Sequence, residues 1–202
     1  MLHTKRALLV GALVALTVAL TAGAAGAVSI PVGPFNANGI VLQTINVPST
    51  GRTYTCLWNL SGRILVQQVD LGPTLRPIGG IENANITCNQ PGVTVVPLVS
   101  PLSSAPGPWV IALTAVLNLP APTGALITIL GVRIQLNDPA IGFRCLYTGS
   151  LGILITNGNP VAQLLPSSFV ATPQPGDTCP AGLPLQKGPG QYNLAPPLFI
   201  GP

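Results

Sequence analysis

Charge is scarce in this sequence. Only 6% of its 202 residues are Asp, Glu, Lys or Arg, against about a quarter in ordinary soluble proteins. Beyond Lys5 and Arg6 near the N-terminus the bases are scattered singly and form no basic patch, so no nucleic-acid partner is expected. Histidine is scarcer still: the single one, His3, sits in the N-terminal head. A Ser-His-Asp hydrolase therefore lacks its general base. "TGSLG" around Ser150 also carries Thr148 where a G-x-S-x-G elbow requires glycine, and Ser150 reads as a turn residue. The whole supply of carboxylates is Asp70, Glu82, Asp138 and Asp177. They show neither the facing pair of a glycosidase nor the clustering of a calcium loop. Asp138-Pro139 and Gly176-Asp177 read instead as turns. No C-x-x-C occurs among the four cysteines, which disfavours zinc ribbons and dithiol redox chemistry. We therefore expect no enzyme: no catalytic residue, no cofactor and no metal site. Aromatic residues, at 4%, are too few for the two girdles of an outer-membrane barrel.

The sequence also lacks a hydrophobic run of membrane-spanning length. Ala7 to Leu20 is apolar or small throughout but falls short of the roughly 20 residues a spanning helix needs. It follows a basic head of His3, Lys5 and Arg6 and leads into "TAGAAGA". The A-x-A pattern Ala25-Gly26-Ala27 completes a secretory signal over residues 1–27, with Ala24 as the second cleavage choice. No cysteine follows the run, so no lipoprotein anchor is predicted. The expected location is secreted, extracellular or associated with the cell envelope. All four cysteines, Cys56, Cys88, Cys145 and Cys179, lie beyond this segment, as an oxidising compartment would favour. Residues 28–202 keep six bases and four acids, a net charge of +2. So few charges repel weakly and favour self-association.

What is present is apolar and heavily punctuated. Hydrophobic residues make up 48% of the chain, interrupted by 23 Gly and 23 Pro. Between these lie short runs rich in Val, Ile, Leu and Thr, such as "GIVLQTINV", "RTYTCLWNL", "VTVVPLV", "ALITILGVRIQL" and "GILITN", which read as strands. Trp109 to Leu119 alternates with a period of two between flanking prolines and favours a strand over a helix. The predicted fold class is all-β: antiparallel β-sandwiches, in two similar halves each stapled by one disulfide. The halves are placed at 28–105 and 106–202. Pro97 to Pro108 is either a linker between them or a long loop inside one sandwich. The segment from Pro173 to Pro202 is expected to be mostly irregular, with one last strand near Leu198 to Ile200.

The two halves are suggested by an internal echo. A shift of 89 lays "YTCLWNLSGRILV" (54–66) on "FRCLYTGSLGILI" (143–155), with five of 13 positions identical and three close in kind. Upstream, Asn46-x-Pro48-Ser49 resembles Asn137-x-Pro139-Ala140; downstream, Thr87-Cys88 resembles Thr178-Cys179. A duplication predicts the disulfides Cys56–Cys88 and Cys145–Cys179, while sequence alone leaves the other two connectivities open. On a strand, Tyr54, Cys56 and Trp58 share one face, as do Phe143, Cys145 and Tyr147. Both trios are predicted to be core.

With a cysteine near the start of each half, Pro108-Trp109 opening the second, and Cys179-Pro180 with Gly190-Gln-Tyr192 near the end, the chain resembles uncharacterised secreted proteins of actinobacteria. That resemblance implies a secreted, β-rich fold and no particular activity. By elimination, the expected function is a non-enzymatic structural or interaction protein of the cell surface. A carrier of a small apolar ligand or lipid is the alternative, and an envelope β-barrel or pore the second alternative. Cell-wall components or other surface proteins are the expected partners; membrane association is left open.

Overall fold

The computed structural model describes residues 27–71, 75–100 and 107–202. Residues 1–26 of the predicted signal segment and the centre of the Pro97–Pro108 segment therefore lie outside the described residues. Within them the chain is all-β, antiparallel and without an α-helix, in line with the predicted class.

A short β1 (Ala27–Ser29) pairs with β5 (Gln68–Asp70) at the side of the main sheet. The main sheet is a meander whose neighbours in sequence are mostly neighbours in space. The strands β2 (Gly33–Gly39) and β3 (Gln43–Val47) lie end to end along one edge of β4 (Arg52–Ile64). On its other edge β4 meets β6 (Arg76–Cys88), and β6 meets β8 (Trp109–Leu117). The strands β7 (Thr94–Pro97) and β8 then share one edge of β9 (Gly124–Asp138). Both ends of the Pro97–Pro108 segment thus belong to the same sheet. β9 pairs along its whole length with β10 (Phe143–Thr156). The far edge of β10 carries β11 (Val161–Leu164) and β12 (Ser167–Ala171), again end to end.

The last two strands, β13 (Pro184–Lys187) and β14 (Gly190–Ala195), complete the circuit. β13 pairs with β12 on one side and β3 on the other; β14 pairs with β11 and β2. The sheet therefore closes on itself, and the two layers of the expected sandwich are continuous at both margins. Closure joins the first strands of the sheet to the last, although β7 is laddered only to β9. It also corrects one expectation. The segment after Pro173 is mostly irregular, as expected, yet it supplies two closing strands where only one was expected. Leu198 to Ile200 forms no strand, and only Gly201 makes a bridge, to Ser29. The prolines that suggested irregularity sit at strand ends and breaks, where a missing N–H costs no ladder bond.

Alternation places the core inside. Tyr54, Cys56, Trp58 and Leu60 of β4 are buried, as are Phe143, Cys145 and Tyr147 of β10. In β9 the inward series Ala125, Ile127, Ile129 resumes at Val132, Ile134, Leu136. The phase resets at Gly131, whose φ of +69° suits glycine, where the ladder shifts register opposite Ser150. Ser150 thus lies at a strand irregularity rather than in a turn.

Candidate functional site

The predicted staples form: Cys56 is bonded to Cys88 and Cys145 to Cys179. The echo is real at the level of a hairpin. Pro48 to Gly51 and Pro139 to Gly142 are matching four-residue connections, each opening with proline and closing with a positive-φ glycine, at 66° and 63°. In each, the glycine N–H donates to the proline carbonyl at 3.3 Å. Five residues separate Gly51 from Cys56 but only three separate Gly142 from Cys145. A difference of two keeps both cysteines on the inward face. It also changes the neighbours: Cys56 faces Gln43 across the hairpin, whereas Cys145 faces Leu136.

The acids read as turn residues do more than turn the chain. Asp138 is buried; one carboxylate oxygen accepts from the Ala140 N–H at 3.1 Å, and the other accepts from the Tyr54 hydroxyl at 2.9 Å. Burial and that carboxylate push the Tyr54 phenol well above its ordinary range. The Asp177 side chain is fully buried. It accepts from the Leu146 N–H (3.0 Å), the Gln174 N–H (2.9 Å) and Gln135 Nε2 (2.6 Å), and it pairs with Arg144 at 3.4 Å. Both carboxylates are consumed in holding hairpins and loops. Glu82 pairs with half-exposed Arg63 at 3.4 Å. Among the described residues no group of three His, Cys, Asp or Glu side chains could hold a metal ion.

Sequence reasoning missed a polar cluster inside the wall. Gln43 and Lys187 are buried, and the Lys187 ammonium lies 5.3 Å from the centre of the Trp58 ring. Its hydrogen bond is to the Gly188 carbonyl, at 3.1 Å. Gln43 lies over Gly190, where a Cβ would meet its amide at 2.6 Å, so any side chain there would push the Gln43 amide aside. Tyr192 follows on the same inward face. Among the described residues, both amide atoms of Gln43, Trp58 Nε1 and the Tyr192 and Tyr147 hydroxyls have no hydrogen-bond partner. Burial pushes Lys187 down to about 7 and Tyr147 up to about 12. It raises Tyr192 further, opposed by the Gln43 amide nearby but outside hydrogen-bond geometry. The only hint in the sequence is a lysine two residues after an inward leucine within a strand.

The cluster lies under a seam. β11 gives way to β12 at Leu165-Pro166, β13 to β14 at Gly188-Pro189, and β2 to β3 at Ile40 to Leu42. These breaks lie side by side across three neighbouring strands. Pro166 and Pro189 each remove a ladder donor there. Outside the seam is a cleft of about 410 Å³ lined by Thr44, Asn46, Ser167, Ser168 and Gln186 together with Lys187 and Gly188. The opposite end of the interior is wholly apolar. Phe35, Ile64, Ile111, Ile127 and Leu194 surround a void of about 20 Å³, room for about one water.

No known protein family, curated protein or solved structure matches this chain.

Proposed function

We propose that the protein is an exported, non-enzymatic structural or interaction module of the cell envelope. One observation carries this reading: the sheet is closed and its apolar interior is filled, leaving a void of about 20 Å³. Pockets for drug-sized ligands measure hundreds of cubic ångströms, so the carrier alternative finds no ready chamber in that apolar end. Work that the molecule does with a partner falls to its outer surface. That surface exposes Val32, Ile40, Val41, Leu42, Leu65 and Phe199 to roughly half of their full extent, and it carries few charges to oppose association. Two disulfides suit an oxidising extracellular setting.

Fractionating the producing cells tests the reading. Retention of the processed chain with the cell wall is expected, and quantitative release into the medium overturns it. Native mass spectrometry of the purified protein is expected to give the mass of the bare chain with two disulfides. A bound lipid would favour the carrier instead.

A further inference from the structure

The polar cluster beneath the seam has more donors than acceptors, and with Lys187 protonated its one charge is positive. Lys187 brings three N–H donors and spends one on Gly188. Gln43 brings two, Trp58 one and the Tyr192 hydroxyl one. On the acceptor side, the unpartnered groups offer the Gln43 carbonyl oxygen and the Tyr192 oxygen. The ion pairs in the described residues join Arg63 to Glu82 and Arg144 to Asp177, and neither involves Lys187. The buried acids Asp138 and Asp177 are engaged by Tyr54 and by the loop of Cys179. A buried cation without a counter-charge is costly, as are buried donors without acceptors. The Trp58 ring offsets only part of that cost.

We infer that the Lys187–Gln43–Trp58–Tyr192 cluster is a binding site for a small monovalent anion of the halide class. Such an ion is acceptor-only, needs little more room than a water molecule, and supplies the missing negative charge. Sulfate, which is larger, divalent and more strongly hydrated, serves as the comparison anion. The route inward is the seam, where the wall breaks in three adjacent strands and the outer cleft reaches Gly188 and Lys187. Site and seam share a sequence cause: Gly188-Pro189-Gly190 interrupts the strand, shifts its inward phase and clears space for Gln43.

The test compares unfolding of the oxidised full chain in sodium chloride, sodium bromide and sodium sulfate at matched ionic strength, at pH 6, for the wild type and Lys187→Met. Above the dissociation constant, each tenfold rise in chloride or bromide is expected to raise the wild-type folding constant about tenfold. Sulfate should add only the general salt effect seen in the variant. Parallel halide slopes in the wild type and Lys187→Met overturn the site, as does an equal response to sulfate. If Lys187→Met fails to fold, wild-type crystals soaked in bromide decide the matter. An anomalous peak within hydrogen-bond reach of Lys187 Nζ supports the site; water density alone at that position refutes it.

Discussion

The hairpins β3–β4 and β9–β10 share their turn, their inward aromatic-Cys-aromatic trio and their staple, yet the two staples do different jobs. Cys56 and Cys88 are direct cross-strand partners, with Cα atoms 3.9 Å apart, inside a ladder that already aligns β4 with β6. Cys179 lies beyond β12, in a loop, 5.5 Å from Cys145. That loop is held by side chains: Asp177 reaches three donors, and the Thr178 hydroxyl accepts from the Arg144 N–H at 2.8 Å. Loop-closure entropy treats the two alike, because they span 32 and 34 residues. What differs is what remains once the bond is gone.

Removing the staples is the strongest way to break this comparison. Each double alanine variant is expected to lose roughly 2–5 kcal/mol in chemical denaturation. Only the Cys145/Cys179 variant should also become sensitive to limited proteolysis between residues 172 and 183. Equal protease patterns would erase the distinction. Next, Asp177→Ala should cost on the order of 3 kcal/mol, since it strands buried backbone donors at Leu146 and Gln174. A loss below about 1 kcal/mol would mean that the disulfide alone holds the loop.

The junctions between the halves differ as well. β6 against β8 buries Ile78, Ile81, Ile111 and Leu113, whereas β13 and β14 against β2 and β3 bury Lys187, Gln43 and Tyr192. Lys187 titrates near 7 in the folded chain and near 10.4 unfolded. Between those values the unfolded state holds the extra proton, so stability rises with pH across that window, by an amount on the order of a few kcal/mol. Tyr54, Tyr147 and Tyr192 have raised folded values. Their contribution is intact below about pH 10 and is lost above it. Denaturation midpoints across pH 6–11 should therefore climb and then fall. Lys187→Met should flatten the climb and leave the fall. The smallest effect lies in the tyrosines. Tyr54→Phe should cost about 1–3 kcal/mol by orphaning Asp138, while Tyr147→Phe, which removes an unpartnered hydroxyl, should be neutral or slightly stabilising.

Legibility in the sequence followed packing. β4, β8, β9 and β10 announced themselves through alternation, because one face is core and the other is not. β6 gave no such pattern: "RPIGGIENANITC" contains Pro77, Gly79 and Gly80. A side chain at Gly79 would run into the Arg63 carbonyl of β4, so closeness to its neighbour, rather than β propensity, selects that residue. β2, β12, β13 and β14 were hidden for a related reason. They are short, each carries Gly, Asn, Ser or Pro among its few residues, and they are held in place by both neighbours rather than by their own pattern. The staples could be read because cysteine is rare and its spacing repeats. The polar cluster could not, because Gln43, Trp58, Lys187 and Tyr192 are far apart in sequence and meet only on closure.

Closure has a consequence in time. β14 ends at Ala195, and its partner β2 begins at Gly33. Nearly the whole chain must therefore emerge before the ring can shut. Until then β2 and β3 on one side and β11 and β12 on the other present bare edges, in a chain with little charge to keep copies apart. Any chain that loses β13 and β14 would remain an open, adhesive sheet however well the rest is packed, which makes those two strands the clasp on which its solubility depends.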